Sequence, residues 1–204
     1  MDRKRLDQQF DFIKDKEKFI QRQTRLSDNV RRENDAEHAW HMAIMTVLLS
    51  EYANEKIDVL RTVTMLLIHD IVEIDAGDTY AYDEEGLKTQ RERECQAADR
   101  IYALLPEDQQ SKLRDIWEEF EAGETPEAKF AHTMDNLQPA MLNVVNNGVS
   151  WKEHGIAISQ IMKRNAHTAE GSQVLWDYAY ENFFKKNIDD GNIIDDGKKK
   201  SGYA

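Results

Sequence analysis

Apolar residues recur at helical spacing along most of this chain. Leu6, Phe10 and Ile13, with Phe19 and Ile20 beyond them, mark a first helix. A second runs through His38, Met42, Met45, Leu48, Leu49 and Tyr52, and Asp35 stands where a helix N-cap is expected. A third spans roughly residues 56–74, with Val59, Leu60, Val63, Leu66, Leu67 and Val72 on its apolar positions. Further helices are expected near residues 87–105, 107–121, 125–146, 150–164 and 170–186, and Pro139 predicts a kink or break in the third of these. Residues 76–86, AGDTYAYDEEG, read as a loop. After Lys186 the period is lost, so residues 187–204 are expected to form a flexible tail. No segment alternates as a strand does, and no internal repeat is present. The pattern predicts an all-α fold with a single domain over residues 1–186.

Composition supports this reading. Among 204 residues there are only 3 prolines and 9 glycines, so little interrupts the helical periods. The length suits one sizeable core. A formal net charge of -12 argues against nonspecific nucleic-acid binding through phosphate contacts, although a local pocket with arginines and a metal can still take a small anion. Cys95 is the single cysteine, which rules out an intramolecular disulfide and suits a reducing compartment. The charged N-terminus lacks the apolar core of a signal peptide, and no stretch has the roughly 18–20 apolar residues of a membrane helix. A cytoplasmic location is expected, with no membrane partner.

Charge-capable residues interrupt the apolar runs at a few places. His38 and His41 lie three apart in ENDAEHAWHMAIM, and His69-Asp70 ends the apolar run of MLLIHDIVEIDAGD. Asp135 lies within the apolar helix of FAHTMDNLQPAML. Burying such groups is costly unless something compensates, and a metal ion is one compensation. Residues adjacent on a helix point about 100° apart, so His69 and Asp70 can straddle one ion beside the helix. Imidazole and carboxylate donors together suit Mn, Co, Fe, Ni or Zn over Mg or Ca. Read individually, each is equally a satisfied core histidine or a capping aspartate. His41 fits that plainer role, as does His132; His154 and His167 belong to no constellation, and Cys95 has no histidine beside it.

The pattern H…HD…D, with EHAWHMA around His38 and LLIHDIVEIDAGD around His69 and Asp70, resembles the HD-domain metal-dependent phosphohydrolase superfamily. The likeness covers roughly residues 18–165. It is nearest to the branch of bacterial 5′-deoxynucleotidases and their eukaryotic HD-domain-containing relatives. The resemblance implies a helical bundle holding one divalent transition metal ion on His38, His69, Asp70 and Asp135. It further implies catalytic roles for Glu73, one helical turn beyond the HD pair, and for Asp78 in the following loop. An upstream arginine binds phosphate in that branch; Arg22 aligns best, with Arg25, Arg31 and Arg32 nearby. The branch has a tryptophan beside that arginine that helps select deoxyribose, whereas this chain has Gln23. Tyr80 and Tyr82 of the loop are candidates to stack on a base. A homodimer is also implied, and Trp176, Tyr178, Tyr180, Phe183 and Phe184 offer apolar surface for it.

The function expected from these observations is hydrolysis of a (deoxy)nucleoside 5′-monophosphate by a metal-bound water, with a small anionic nucleotide as substrate. Hydrolysis of guanosine tetraphosphate is a second reading. Enzymes of that kind carry HDxxED, and here Ile74 takes the place of the second acid. A nucleotide- or metal-binding regulator with little turnover is a third, which would not need Glu73.

Overall fold

The computed structural model describes residues 2–197. Helix α1 (Arg3–Phe12) and a 3-10 turn (Lys16–Phe19) lead into a short ribbon of β1 (Gln21–Arg25) and β2 (Arg32–Asn34). Helices α2 (Asp35–Leu49) and α3 (Val59–Ile68) follow, then a 3-10 turn (His69–Val72) and α4 (Glu73–Ala76). The long helices α5 (Glu84–Tyr102), α6 (Glu107–Ala122) and α7 (Pro126–Val145) complete the centre. Shorter helices close the chain: α8 (Val149–His154), α9 (Ile158–Arg164), α10 (Thr168–Gly171), α11 (Gln173–Ala179), a π-helical turn (Tyr180–Lys185) and α12 (Lys186–Asp189). The all-α expectation holds, and no described helix is long and apolar enough to cross a membrane.

Helix α7 lies at the centre, packed against α2, α3, α6 and α10. Met42, Met65, Leu66, Trp117, Phe130 and Met134 are fully enclosed between these helices. Leu48, Leu60 and Leu67, which share the helical period, instead face outward. In α3 Thr62, Met65 and Leu66 are buried at i, i+3 and i+4, with Ile68 buried at its end, so Leu60 and Leu67 fall on the opposite face. Pro139 leaves α7 unbroken. It removes an N–H that would otherwise bond four residues back, to Asp135.

Three local features depart from the helical pattern. The first is the ribbon, whose strands pair antiparallel with Gln21 opposite Asn34 and Arg25 opposite Arg32. QRQTR and REN lack the apolar alternation by which a half-buried strand is read. The second is the start of α2. Its cap is Asn34, whose Oδ1 accepts from the Glu37 N–H (3.0 Å) while the Asn34 N–H donates to Glu37 (3.2 Å), a reciprocal capping box. Asp35, expected at the cap, therefore sits inside the first turn and is fully buried.

The third is the end of α3. The helix expected to reach residue 74 stops at Ile68, where φ is -122°. The carbonyls released there are taken up by side chains. Tyr102 Oη donates to Ile68 O (3.3 Å), Trp117 Nε1 to His69 O (3.2 Å) and His69 Nδ1 to Leu66 O (2.9 Å). This satisfies groups a helix end leaves open and fixes the backbone of the His69-Asp70 pair.

The segment expected as a flexible tail, residues 187–204, is packed at its beginning. Asn187 and Ile193 are buried, and Ile194 pairs across the start of α9, its O accepting from Ile158 N–H (2.9 Å) and its N–H donating to Ile156 O (3.0 Å). Ile193 gives this segment an apolar side chain to bury, while Ile194 joins it through the backbone; residues 198–204 lie outside the described residues.

Gly171 marks the tightest helix approach. A Cβ there would collide with the Lys129 carbonyl and Thr133 Oγ1 of α7. Gly171→Ala is expected to destabilise the protein by about 1–3 kcal/mol through overpacking, read as a lower urea midpoint with an unchanged m-value. An unchanged midpoint contradicts the close approach.

Candidate metal centre and active site

Four expected ligand residues converge although they come from three segments. His38 is supplied by α2, His69 and Asp70 by the turn after α3, and Asp135 by α7. Ligand atoms of His38, His69 and Asp135 lie within 4.8 Å of one another. Asp70 joins them from the other side: Oδ1 is 2.9 Å from His69 Nε2 and Oδ2 4.0 Å from His38 Nε2. All are buried or nearly so, with Asp70 and Asp135 side chains 12% exposed.

Hydrogen bonding sets which ring nitrogen points inward. Gln138, one turn beyond Asp135 on α7, donates its amide N–H to Glu33 Oε1 (2.7 Å). Its Oε1 therefore faces His38 Nδ1 (2.9 Å), which must be the donor. Burial first, then the Arg22 guanidinium, lowers His38 to about 4, so the ring is neutral. Its Nε2 then presents a lone pair to Asp135 Oδ1 at 3.1 Å. Two acceptors held that close in a buried site need a cation between them. His69 Nδ1 is likewise committed to Leu66 O, so that in its neutral, metal-binding form the lone pair of Nε2 would face the cluster. These donors fit a divalent transition metal ion.

The polypeptide supplies some positive charge of its own. Arg22 Nη1 lies 2.8 Å from Asp70 Oδ2, and Arg164 Nη2 donates to Asp135 Oδ2 at 2.9 Å. Burial disfavours charge on His69, but the adjacent Asp70 overrides it and holds the ring at about 9. Asp70 and Asp135 stay below the usual carboxylate range against burial, Asp70 through His69 and Arg22, Asp135 through Arg164 and His38.

Around them stand acids pushed the other way. Burial, reinforced by Asp70, raises Glu73, whose Oε2 has no hydrogen-bond partner. Burial raises Glu33 to about 7 and, together with Asp70, raises Asp35 to about 8. Asp78, in the loop after Gly77, is also raised, chiefly by burial. Gly77 makes that turn with a φ of 77°. Asp75 pairs with Arg100 on α5, away from the cluster.

Of the four upstream arginines, Arg22 on β1 reaches the cluster. Arg25 pairs with Glu153 (3.4 Å), Arg31 pairs with Glu37 (2.5 Å), and Arg32 is exposed. A cavity of about 270 Å³ opens onto the site. Arg22, Gln23, Asp70, Glu73 and Asp78 line it near the cluster, with Tyr80, Tyr82 and Trp151 farther along its wall. Tyr80 packs edge-on against Tyr82, with centroids 5.3 Å apart, and on His154 at 5.0 Å.

The remaining histidines have plainer surroundings. His132 stacks on Phe120 and bonds to its carbonyl (2.7 Å), while His41 meets the Gln138 amide. His167 is exposed beside Glu170, and Cys95 is half-buried against the core. Sequence reasoning missed Gln138, Glu33 and Arg164. Gln138 carried a signal, its i+3 spacing from Asp135. Arg164, 29 residues beyond Asp135, carried none.

Glu33, Asp35 and His69 each bind a proton more tightly in the folded chain than in the unfolded one. Their stabilising contribution is full at low pH and is lost as pH climbs through about 7, 8 and 9 respectively. The melting temperature of metal-stripped protein should therefore fall between about pH 6 and 9, and added Mn²⁺ should raise it across that range. Thermal melts in a buffer series check this; a melting temperature that rises with pH over the window contradicts it.

The HD domain family profile matches residues 14–176. The chain is 32% identical over 111 residues to the human 5′-deoxynucleotidase HDDC2, covering 54% of this chain and 53% of that protein. It is 26% identical over 110 residues to the fission yeast 5′-deoxynucleotidase hdd1, covering 52% and 54%. The chain thus spans about half the length of the curated relatives it matches. A crystal structure of a predicted metal-dependent phosphohydrolase from Magnetospirillum magnetotacticum superposes with a TM-score of 0.88 at 45% identity, covering 93% of this chain and 96% of that one. With its two histidines and two aspartates gathered in a helical bundle, the chain belongs to the HD domain family.

Proposed function

We propose that this protein is a divalent-metal-dependent phosphohydrolase that cleaves the phosphomonoester of a nucleoside 5′-monophosphate. The carrying observation is the facing pair of acceptors, His38 Nε2 and Asp135 Oδ1, of which Asp135 lines a cavity that also holds arginine, tyrosine and acids. His38, His69, Asp70 and Asp135 would hold one ion, of Mn, Co, Ni, Fe or Zn. Bound there, it would polarise a phosphoryl oxygen and lower the pKa of water so that hydroxide is available near neutral pH to attack phosphorus. The relatives' 5′-deoxynucleotidase activity supports the monophosphate as substrate.

The chain's own residues account for the remaining chemistry. Arg22, reaching Asp70 from β1, offers its guanidinium to the phosphate. Glu73, kept protonated by burial, passes its proton from the unpartnered carboxyl to the leaving 5′-oxygen as the P–O bond breaks. The products are a nucleoside and inorganic phosphate. Asp78 sits at the loop where it can orient water or the sugar. Tyr80 and Tyr82 form an aromatic wall for the base. Gln23 lines the cavity beside Arg22, where the resembling branch has the tryptophan that helps select deoxyribose, so a strict deoxyribose preference is not expected.

The test is phosphate release from ribo- and deoxynucleoside mono-, di- and triphosphates by metal-stripped protein with each metal added back. Release from monophosphates alone is expected, in both sugar series. No release from any of them contradicts the proposal. Glu73→Gln should lower kcat roughly 10²–10⁴-fold while still binding Mn²⁺. Unchanged turnover would remove Glu73 from the reaction. A variant that binds metal and a wild-type protein that turns nothing over would favour a binding regulator.

The homodimer has a candidate surface on α2. Trp40, Ile44, Val47 and Leu48 form an exposed apolar stripe at i, i+4, i+7 and i+8. The C-terminal aromatics serve less well, because Phe184 is buried and Trp176 and Phe183 pack on the core. Trp40→Glu should shift the protein from dimer to monomer in light scattering; an unchanged mass contradicts this surface.

A further inference from the structure

Two guanidinium groups line the cavity, and they are not equivalent. The Arg22 side chain is 14% exposed and lies among three carboxylates, Asp70 at 2.8 Å, Asp35 at 3.5 Å and Glu33 at 3.9 Å. Its guanidinium is enclosed among these carboxyl groups, with Asp70 the ionised one against it. The Arg164 side chain is 40% exposed and meets one carboxylate, that of Asp135, at 2.9 Å. Among the described residues no lysine lines this cavity, and six acids do: Asp70, Glu73, Asp78, Glu94, Glu121 and Asp135. A phosphate dianion entering such a cavity needs cationic groups exposed enough to reach it, and Arg164 is the more exposed of the two.

Arg164 is also held in place. It ends α9, and the residue after it, Asn165, is buried and donates back to Ile161 O (2.9 Å). Thr168 Oγ1 donates to Asn165 Oδ1 (3.2 Å) and accepts from Asn136 Nδ2 (3.0 Å). Asn136 directly follows Asp135 on α7. The backbone of Arg164 is thereby stitched to the helix that carries its acid partner. The hydrogen bond to Asp135 uses Nη2, on the Oδ2 side, while Oδ1 faces His38. A cation shared between His38 and Asp135 would weaken the hold of Asp135 on the guanidinium and leave its N–H fork open to the cavity.

Resting on the phosphohydrolase reading, we propose that Arg164 is a second phosphate-binding residue of this site, facing the phosphate from α9 while Arg22 approaches from β1. A planar fork matches phosphate oxygens in a way an ammonium does not, so arginine is preferred to lysine at this position.

The test separates this role from a merely structural hold on Asp135. Mn²⁺ affinity is measured by calorimetry on metal-stripped wild type, Arg164→Gln and Arg164→Lys. Inorganic phosphate affinity is then measured on the same proteins saturated with Mn²⁺. Arg164→Gln should keep Mn²⁺ affinity within about threefold and lose about tenfold or more in phosphate affinity, with Arg164→Lys between it and wild type. Phosphate affinity unchanged in Arg164→Gln overturns the proposal. So does a loss of Mn²⁺ affinity with phosphate binding unaltered at saturation, which would make Arg164 a support for Asp135 only. If Arg164→Gln does not fold, by circular dichroism, Arg164→Lys decides: weakened phosphate binding supports the role and wild-type affinity overturns it. Absence of phosphate release from every nucleotide by the wild type would overturn the proposed reaction, and the phosphate affinities would still decide the role of Arg164.

Discussion

His38 Nε2 and Asp135 Oδ1 face each other 3.1 Å apart at the buried centre of the bundle, and each needs a proton or a cation that the other does not supply. Gln138 commits the only mobile proton of His38 to the far side of the ring. Leaving a buried charge uncompensated is among the most destabilising arrangements in a protein, on the order of 3–5 kcal/mol. The chain's answer is to bring two arginines and the His69 ring against Asp70 and Asp135. The other buried acids, Glu33, Asp35 and Glu73, shift toward their neutral forms. A divalent ion resolves the same imbalance in one step, which ties the stability of the fold to the chemistry of the site.

The surrounding helices serve this arrangement. Trp117 on α6 and Tyr102 on α5 do not line the cavity; they satisfy the carbonyls released where α3 ends and so fix His69 and Asp70. Arg91 and Arg114 cover the Trp117 ring at 4.8 and 5.0 Å, holding it in turn. On the other side, the β1–β2 ribbon brings Arg22 and Glu33 to the cluster, and the relay from Asn136 through Thr168 to Asn165 places Arg164. The site is therefore supported from residues spread over most of the chain.

Part of this was legible in the sequence. His38, His69-Asp70 and Asp135 interrupt apolar helical runs, and that conflict between burial and charge is visible without a structure. The long helices were likewise readable, because α5, α6 and α7 carry strong periods. The ribbon was not, since its strands are polar and short, and their pairing answers to Arg22 and Glu33 facing the cluster rather than to an apolar core. The early end of α3 was hidden because the carbonyls it frees are satisfied by Tyr102 and Trp117, which lie 34 and 48 residues away from their acceptors. Arg164 gave no signal for the same reason: its meaning depends on a contact that only folding creates.

A crystal of the protein soaked in Mn²⁺ and measured at a wavelength where manganese scatters anomalously tests the central claim most directly. The account predicts a single strong anomalous peak per chain, about 2.0–2.3 Å from His38 Nε2, His69 Nε2 and one oxygen each of Asp70 and Asp135. A peak elsewhere, or none with the cluster intact and the Arg22 and Arg164 guanidiniums still on their carboxylates, would contradict it.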